Sequence, residues 1–290
     1  MWKRANLSPG RLAFFAGPVL WIAVANLGPL IEVARISLRD SYPLAPGQTG
    51  GYSLNAYAAF AASSAYPWAL LRSLAFATLV TAGSLILCYP LAYHIALKVL
   101  AVQRGRRLML IVAPFWTSEI VRIFAIALLL SNRGAVNLLL RQIGLIDGSV
   151  PLLYGGFSVA CGMMYVALLS MLLPLYAVLD RLPRDLLDAA AIHGAGSWRR
   201  LFDVTLPLSL NGVASGSALV FLLSLGTFAV PVLLGGPDTT LFAVTITGFF
   251  SSAANRWPVG AAFSLILLVV GGLVAGGMIG LTRLRTAAIR

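Results

Sequence analysis

Apolar runs separated by short polar segments dominate this sequence, and six of the runs are long enough to cross a bilayer. A transmembrane helix needs roughly 20 mainly apolar residues. The runs lie at residues 12–33, 68–97, 108–130, 157–179, 208–234 and 259–281. This pattern predicts an all-α membrane protein with six transmembrane helices.

The polar segments between the runs predict how the chain is organised. Residues 98–107 (KVLAVQRGRR) are expected to form a basic cytoplasmic turn. External segments are expected at 35–66, 132–156 and 235–258, with short helices near 54–62 and 136–143 and an apolar piece at 241–250 that could enter the membrane. The predicted divisions are a first helix with a periplasmic segment (1–66), a transmembrane core (67–282) and a cytoplasmic tail (283–290).

Residues 180–207, DRLPRDLLDAAAIHGAGSWRRLFDVTLP, stand out because they concentrate charge between two apolar runs. Pro183 suits the first position of a helix, and Gly194 suits its end. Ser197 is placed to cap a second short helix, and Pro207 marks the expected turn into the next apolar run. The segment, which we call the elbow, is predicted to be two helices joined at glycine, too polar for lipid.

Two interpretations of the elbow follow from the residues alone. It could be a docking surface for another protein. Alternatively, it could be a solvated loop whose charges pair with one another, since Arg181 and Asp185, and Arg184 and Asp188, are four residues apart. Such pairs contribute only about 0.2–0.5 kcal/mol each.

Polar residues inside the third and fifth runs are candidates for a translocation path. Ionisable groups at membrane depth usually pair or face a cavity. Glu119 and Arg122 are three residues apart, so they could also simply pair with each other, and serines of the fifth run could bond to their own helix. The path candidates are Trp116, Thr117, Glu119, Arg122, Ser224 and Thr227.

Glycines spaced by four recur in the last two runs, at 212/216 and at 272/276/280. Small residues at this spacing allow transmembrane helices to approach closely. They could serve packing within the helix bundle or an interface with another subunit.

Charge and composition change this picture little. The net charge of +12 would suggest nucleic acid for a soluble protein, but here most of the 21 lysines and arginines fall in segments predicted to be cytoplasmic. That is the positive-inside pattern, and it predicts that both termini are cytoplasmic and that nucleic acid is not a partner. The two cysteines and two histidines are isolated, so no metal, cofactor or disulfide is expected. No phosphate-binding GxxxxGK[ST] loop is present, so ATP would be hydrolysed by another chain.

The elbow resembles a known motif. Asp188-Ala189-Ala190, Gly194 and Leu206-Pro207 are similar to the EAA---G---------LP loop of binding-protein-dependent ABC importer permeases. The resemblance implies that these six residues couple the chain to an ATPase, with the elbow as a helix seated in a cleft of the ATP-hydrolysing subunit. Asp188 departs from the usual glutamate by one methylene, which puts the contact made by its carboxylate in doubt.

Further stretches are similar to the spermidine/putrescine-type permeases, at 114–147, 226–236 and 257–262. The resemblance implies a type I ABC importer permease fold in the bacterial inner membrane and import of a small solute such as a polyamine. Implied partners are a second homologous permease, two ATP-binding subunits and a periplasmic substrate-binding protein, besides membrane lipid. The alternatives are another small solute (amino-acid-like, an opine or an inorganic ion) or a stand-alone secondary transporter. The chain would not be an enzyme.

Overall fold

The computed structural model describes residues 9–44, 50–251 and 256–288, and these residues are almost entirely helical. Six helical segments of the described chain are long and apolar enough to cross a membrane, which confirms the predicted number of spans. The third, Glu119–Gln142, lies further along the chain than the predicted 108–130. The elements are α1 (Pro9–Ser37), α2 (Asn55–Ala62), α3 (Ala65–Tyr93), a π segment (His94–Lys98), α4 (Ala101–Val112), a 3₁₀ turn (Ala113–Trp116), α5 (Glu119–Leu130), α6 (Ala135–Gln142), α7 (Gly156–Leu179), α8 (Arg184–Ile192), α9 (Ser197–Arg199), a second π segment (Arg200–Thr205), α10 (Leu206–Gly226), α11 (Ala229–Leu234), a 3₁₀ turn (Pro237–Thr239), α12 (Phe242–Ser251) and α13 (Trp257–Ala288).

The chain divides into two compact units. The first is formed by described residues of 1–64 and 246–266. Its centre is an aromatic cluster in which the buried Phe263 ring meets Phe60 and Phe249 edge to face, with centroids 5.5 and 5.4 Å apart. Edge-to-face contacts suit the quadrupoles of aromatic rings. This cluster holds α2 and the first turns of α13 in one unit.

The second unit, from residues 65–245 and 267–290, carries the features that concern function. Its core lies where α3, α7 and α10 pack together, around buried side chains such as Val80, Met171, Leu175 and Val220. These helices are apolar on most faces, as expected for spans that touch both protein and lipid. The short helices α5 and α11 pack onto this core beside α7.

The glycine pairs separate into two kinds. A Cβ at Gly212 would lie 3.1 Å from the carbonyl oxygen of Pro174 and 3.0 Å from Cβ of Val178, so α10 approaches α7 as closely as glycine allows. This confirms packing within the bundle for Gly212/Gly216. A Cβ at Gly272, Gly276 or Gly280 would meet nothing within 4 Å, so this row faces open space in the single chain.

Several connecting segments match the predictions, but one connecting segment and one span do not. Helices α2 and α6 confirm the short helices predicted near 54–62 and 136–143, and α12 accounts for the apolar piece at 241–250. The predicted turn at 98–107 is wrong, because α4 begins at Ala101 and takes the basic residues into a helix. The fifth span was expected to be continuous to about residue 234, but it breaks after Gly226 and resumes as α11.

Candidate functional site

The first arm of the elbow is α8, and it contains Asp188, Ala189 and Ala190. Pro183 is its N-cap and not its first helical residue, so that prediction was off by one position. The helix ends at Gly194, whose φ is +79°, in the left-handed region that strains any residue with a Cβ. The N–H of Ala195 donates to the carbonyl of Ala190 at 3.0 Å, and that of Gly194 to Ala191 at 2.9 Å. This paired pattern is a Schellman ending, and it confirms the glycine turn.

The second arm runs straight into the fifth span. Gly196, and not Ser197, is the N-cap of α9, and the predicted turn at Pro207 is wrong because the helix continues through it. A proline removes one N–H and crowds the carbonyl four residues earlier. The π segment Arg200–Thr205 lies just before this point, and the hydroxyl of Thr205 donates to the carbonyl of Arg200 at 3.1 Å. Leu206 and Pro207 are therefore half-buried in a continuous helix of 30 residues, Ser197–Gly226.

Large apolar side chains are exposed on the elbow. Trp198 and Phe202 stack nearly parallel, with ring centroids 5.9 Å apart, and are 74% and 54% exposed. Ile192, at the end of α8, is 85% exposed. Clustered exposed apolar groups rimmed by polar residues mark interaction sites. This surface favours docking over the alternative of a simple solvated loop.

The charges of the elbow do not pair as the loop interpretation required. Within the described chain, Arg181 and Asp185 form no ion pair, and neither do Arg184 and Asp188. Asp180 instead accepts a hydrogen bond from Arg104 of α4 at 2.5 Å. Nε of Arg104 also donates to the carbonyl of Val99 at 3.1 Å, so one arginine ties the start of the elbow to the loop that follows α3.

A cavity of about 770 Å³ lies where two spans are broken. The predicted third run, 108–130, breaks at Thr117–Ser118, between a 3₁₀ turn and α5, and the predicted fifth run, 208–234, breaks at Thr227–Phe228, between α10 and α11. Non-helical backbone at membrane depth is tolerated where it lines a cavity. Four of the predicted path residues, Glu119, Arg122, Ser224 and Thr227, line this one cavity.

The polar groups of this cavity are largely unpaired among the described residues. Glu119 is exposed at the first position of α5, where the helix dipole favours a negative charge. It forms no ion pair with Arg122 among the described residues. The Arg122 guanidinium lies 5.1 Å from the ring centre of Phe115, and its Nε and Nη1 are buried without a hydrogen-bond partner in the described chain. The alternative in which Glu119 simply pairs with Arg122 is thus not seen among the described residues.

Ser224 behaves differently from Ser209 and Ser215 of its helix. Ser215 bonds back to the carbonyl of Asn211 at 2.8 Å, as helix serines commonly do. The buried Oγ of Ser224 has no such partner among the described residues and lies at the cavity. It can therefore meet a solute or water.

Two of the predicted path residues do not line the cavity, and two polar residues that do line it were not predicted from the sequence. Trp116 precedes the break and Thr117 is part of it, and neither lines the cavity; the Thr117 hydroxyl donates to the carbonyl of Pro114 at 2.8 Å. Ser118 and Ser170 do line it. Ser170 lies in the middle of α7, where a lone serine gives no signal in the sequence. No group of His, Cys, Asp or Glu in the described residues could hold a metal ion.

Comparison with known proteins identifies the family. Residues 101–286 match the family described as binding-protein-dependent transport system inner membrane component. The chain belongs to this family. It is therefore a multi-pass inner-membrane permease component, which confirms the family that the elbow motif implied.

Individual relatives agree with this assignment. The spermidine/putrescine transport system permease protein PotB of Escherichia coli (strain K12) is 35% identical over 205 residues, which cover 71% of this chain and 74% of that protein. The inner membrane ABC transporter permease protein YdcU of the same strain is 29% identical over 280 residues, covering 93% and 88%.

A solved structure shows the same fold. A chain of the bacterial alginate ABC transporter, in complex with alginate pentasaccharide-bound periplasmic protein, superimposes with a TM-score of 0.72. It covers 94% of each chain at 17% identity. This confirms the ABC importer permease fold that was expected.

Proposed function

We propose that this chain forms one half of the translocation channel of an ATP-driven importer. A second homologous permease would complete the channel, two ATP-binding subunits would drive it, and a periplasmic substrate-binding protein would deliver the solute. The chain itself performs no catalysis. Its task is to bind partners at the elbow and to open and close a path past the cavity.

The observation that carries this proposal is the single helix that joins the elbow to the cavity. Ser197–Gly226 is helical throughout, and at 1.5 Å per residue its 30 residues span roughly 45 Å. Its first turns carry the exposed Trp198, and its last turn carries Ser224. Because a helix transmits displacement along its axis, movement of the docked elbow would move the cavity wall.

The middle of this helix is tied to the bundle by a polar contact. The Tyr89 hydroxyl of α3 and the buried Oγ of Ser209 in α10 are 2.9 Å apart. Close contact of Gly212 with α7 lies one turn further on. These contacts would make α3 and α7 follow α10, so the elbow would drive more than one wall of the path.

We infer that the solute is a small amine-bearing cation of the polyamine type. The exposed Glu119 supplies a carboxylate in the cavity, and a carboxylate can offset part of the hydration that an ammonium group loses there. The names of the PotB relatives, which are spermidine/putrescine permeases, support the same class.

The proposal is tested at the glycine turn with a matched pair of variants. Gly194 has φ +79° and Gly196 has φ −64°, and a Cβ at either position meets nothing within 4 Å. Gly194→Val therefore strains the backbone without a steric clash. Gly196→Val causes neither backbone strain nor a clash. We expect ATP hydrolysis stimulated by the loaded binding protein, in reconstituted complexes, to fall about tenfold in Gly194→Val, since a left-handed non-glycine residue costs about 1–2 kcal/mol.

The Gly196→Val complex is expected to retain most of the stimulation. Full stimulation in Gly194→Val, with normal membrane insertion, would contradict a coupling role for the elbow. Purification of an active transporter without any ATP-binding subunit would contradict the proposed importer itself.

A further inference from the structure

A second, smaller cavity lies at the elbow itself. Its volume is about 230 Å³, and it opens where the end of α3 meets α8 and the π segment that precedes α10. Tyr93 and Leu97 form its apolar side. Its polar side consists of four charged residues, Lys98, Arg184, Asp188 and Arg200.

The charges around this cavity do not balance. Three cations come from three separate elements and face one carboxylate, that of Asp188. None of the four forms an ion pair in the part of the chain that the structure describes. Nε of Arg200 is buried and has no hydrogen-bond partner there. A buried donor left without a partner is costly, and the cost is larger for a charged group. The site thus lacks negative charge and hydrogen-bond acceptors.

Both π segments of the described chain contribute to this cavity. Lys98 is the last residue of the first segment, and Arg200 is the first residue of the second. Single π turns within helices are rare and are found frequently at functional sites. That two of them supply cations to one small cavity is an independent indication of a binding site.

We propose that this cavity binds a phosphate-type oxyanion. An arginine offers planar, paired donors and a lysine a mobile point charge, and the two together are a common setting for phosphate. At roughly 30 Å³ per water molecule in the liquid, the cavity has room for about eight waters, enough for one tetrahedral oxyanion. The ligand would be inorganic phosphate or the headgroup of an acidic phospholipid, which share this chemistry.

Occupancy of this cavity would act on the elbow. Arg184 and Asp188 belong to α8, whereas Lys98 closes the second span. A bound oxyanion bridging Lys98, Arg184 and Arg200 would hold α8 against the end of that span. The binding itself does not depend on the proposed transport function, and it can be measured in the absence of partners.

The test uses the full-length chain in nanodiscs, with the melting temperature as the measure of binding. One arm adds inorganic phosphate to phosphatidylcholine nanodiscs at constant ionic strength. The other arm replaces part of the phosphatidylcholine by phosphatidylglycerol without phosphate. We expect saturable stabilisation in at least one arm. Stabilisation in the first arm identifies free phosphate as a ligand, and stabilisation in the second identifies the lipid headgroup.

Three variants make the test specific. Arg200→Gln should weaken the affinity about tenfold, because a hydrogen-bonded charge is lost. Arg199→Gln is the matched control, since Arg199 is exposed and does not line the cavity. The affinity of this variant should stay within about twofold of that of the unchanged chain at constant ionic strength. Asp188→Asn should tighten binding about fivefold by removing a like charge, an effect that misfolding cannot produce.

Two results would overturn the proposal. One is the absence of saturable stabilisation in both arms, so that neither phosphate nor phosphatidylglycerol raises the melting temperature more than sodium chloride does. The other is an equal loss of affinity in Arg199→Gln and Arg200→Gln, which would show non-specific attraction to a basic surface.

Discussion

The elbow and the large cavity lie at opposite ends of one helix, and they are built in opposite ways. The elbow is a single stretch of chain, residues 180–207, whose shape depends on local backbone features such as the turn at Gly194. The cavity takes its walls from α5, α7, α10 and α11, so its charged and polar groups come from separate stretches of the chain, at 118–122, 170 and 224–227. A partner can therefore recognise the elbow as a motif, whereas the cavity exists only after the bundle has packed.

The two regions also contrast with their surroundings in opposite ways, because the elbow has apolar side chains in a charged segment and the cavity has polar side chains among apolar helices. The elbow exposes Trp198, Phe202 and Ile192 within a charged segment. The cavity places Glu119, Arg122 and Ser224 among apolar spans. Exposed apolar groups in a polar segment suit a protein partner, and polar groups at membrane depth suit a solute. This contrast supports the proposal that one end of the helix contacts a protein partner and the other end contacts a solute.

The largest predicted effect concerns the two sides of the membrane. Single cysteines at Ser197, on the elbow, and at Asp238, in the turn before α12, are both at exposed positions. In a background with Cys88 and Cys161 replaced by alanine, an impermeant thiol reagent added to sealed cells should label the Asp238 site and not the Ser197 site. A cysteine at Gln103 in α4 should resemble the Ser197 site.

Permeabilised cells provide the control, because all three sites should then react equally. Labelling of the Ser197 site from outside would reverse the orientation and remove the elbow from any cytoplasmic partner. Gln48, another position expected to be external, lies outside the described residues.

The spans were predictable because a bilayer imposes a length and a composition on each helix. Residues 157–179 were expected for the fourth span, and α7 is Gly156–Leu179. The break at Thr227 was not predictable, because apolar residues continue on both sides. The N–H of Thr227 still donates to Leu223 at 3.0 Å, and only ψ changes, to 132°. A change in one backbone angle of this kind cannot be read from the hydropathy of the sequence.

The site was predictable only in part, for the same reason. Gly194 in its turn followed from the special conformation that glycine allows. Glu119, Arg122, Ser224 and Thr227 were recognised as unusual residues within spans, but nothing in the sequence showed that they share a cavity. The pairing of Glu119 with Arg122 was one of two alternatives, and it rested on spacing alone. The ring of Phe115 lies close to the guanidinium in the structure, and this contact cannot be read from spacing.

The next largest effect is expected at the apolar surface of the elbow. Trp198→Ala should weaken the affinity of the ATP-binding subunit for the chain by about thirtyfold, since aromatic anchors at interfaces often contribute about 2 kcal/mol or more. The measurement is a binding titration of the subunit against the chain in nanodiscs. Trp68→Ala is the matched control, because Trp68 is also largely exposed but lies in the first turn of α3.

Equal binding by Trp198→Ala and the unchanged chain would mean that the exposed stack has another use. Equal weakening by Trp68→Ala would point to a general loss of stability. Either result would remove the distinction between a protein-binding end and a solute-binding end.

A smaller effect is expected between the two regions, at Gly212. Gly212→Ala adds a Cβ against a backbone carbonyl and against Val178, so overpacking should lower the stability of the chain by about 1–3 kcal/mol. The Cβ added by Gly276→Ala would lie in open space in the single chain. This variant should raise the stability of the chain by up to about 1 kcal/mol, because alanine has a higher helix propensity than glycine. Melting temperatures of the two variants in nanodiscs should therefore move in opposite directions. A rise in both would show that α10 and α7 can separate without penalty, and a fall in both would contradict the open space at Gly276.

The smallest effect is expected at Glu119. The carboxylate is exposed, so its attraction for a solute ammonium about 4 Å away should be near the value in water, about 1 kcal/mol, or roughly fivefold in uptake. Glu119→Gln should therefore reduce uptake of a triamine about fivefold and of a diamine somewhat less. Complex yield and stimulated ATP hydrolysis should not change, because the described chain shows no ion pair to break at this residue.

The double variant Glu119→Gln/Arg122→Gln distinguishes a role in the path from a role in folding. If the two charges only stabilised each other, Glu119→Gln would leave an unpaired cation, yield would fall for that variant, and the double variant would recover both yield and uptake. The Arg122 guanidinium already lacks a carboxylate partner among the described residues and lies against Phe115, so removing Glu119 should leave it as it is. We therefore expect triamine uptake by the double variant to stay low, as in Glu119→Gln. A modest gain over Glu119→Gln is expected because the repelling cation of Arg122 is lost. Full recovery of uptake in the double variant would contradict a role for Glu119 toward the solute, and the cavity would then contribute space but no charge recognition.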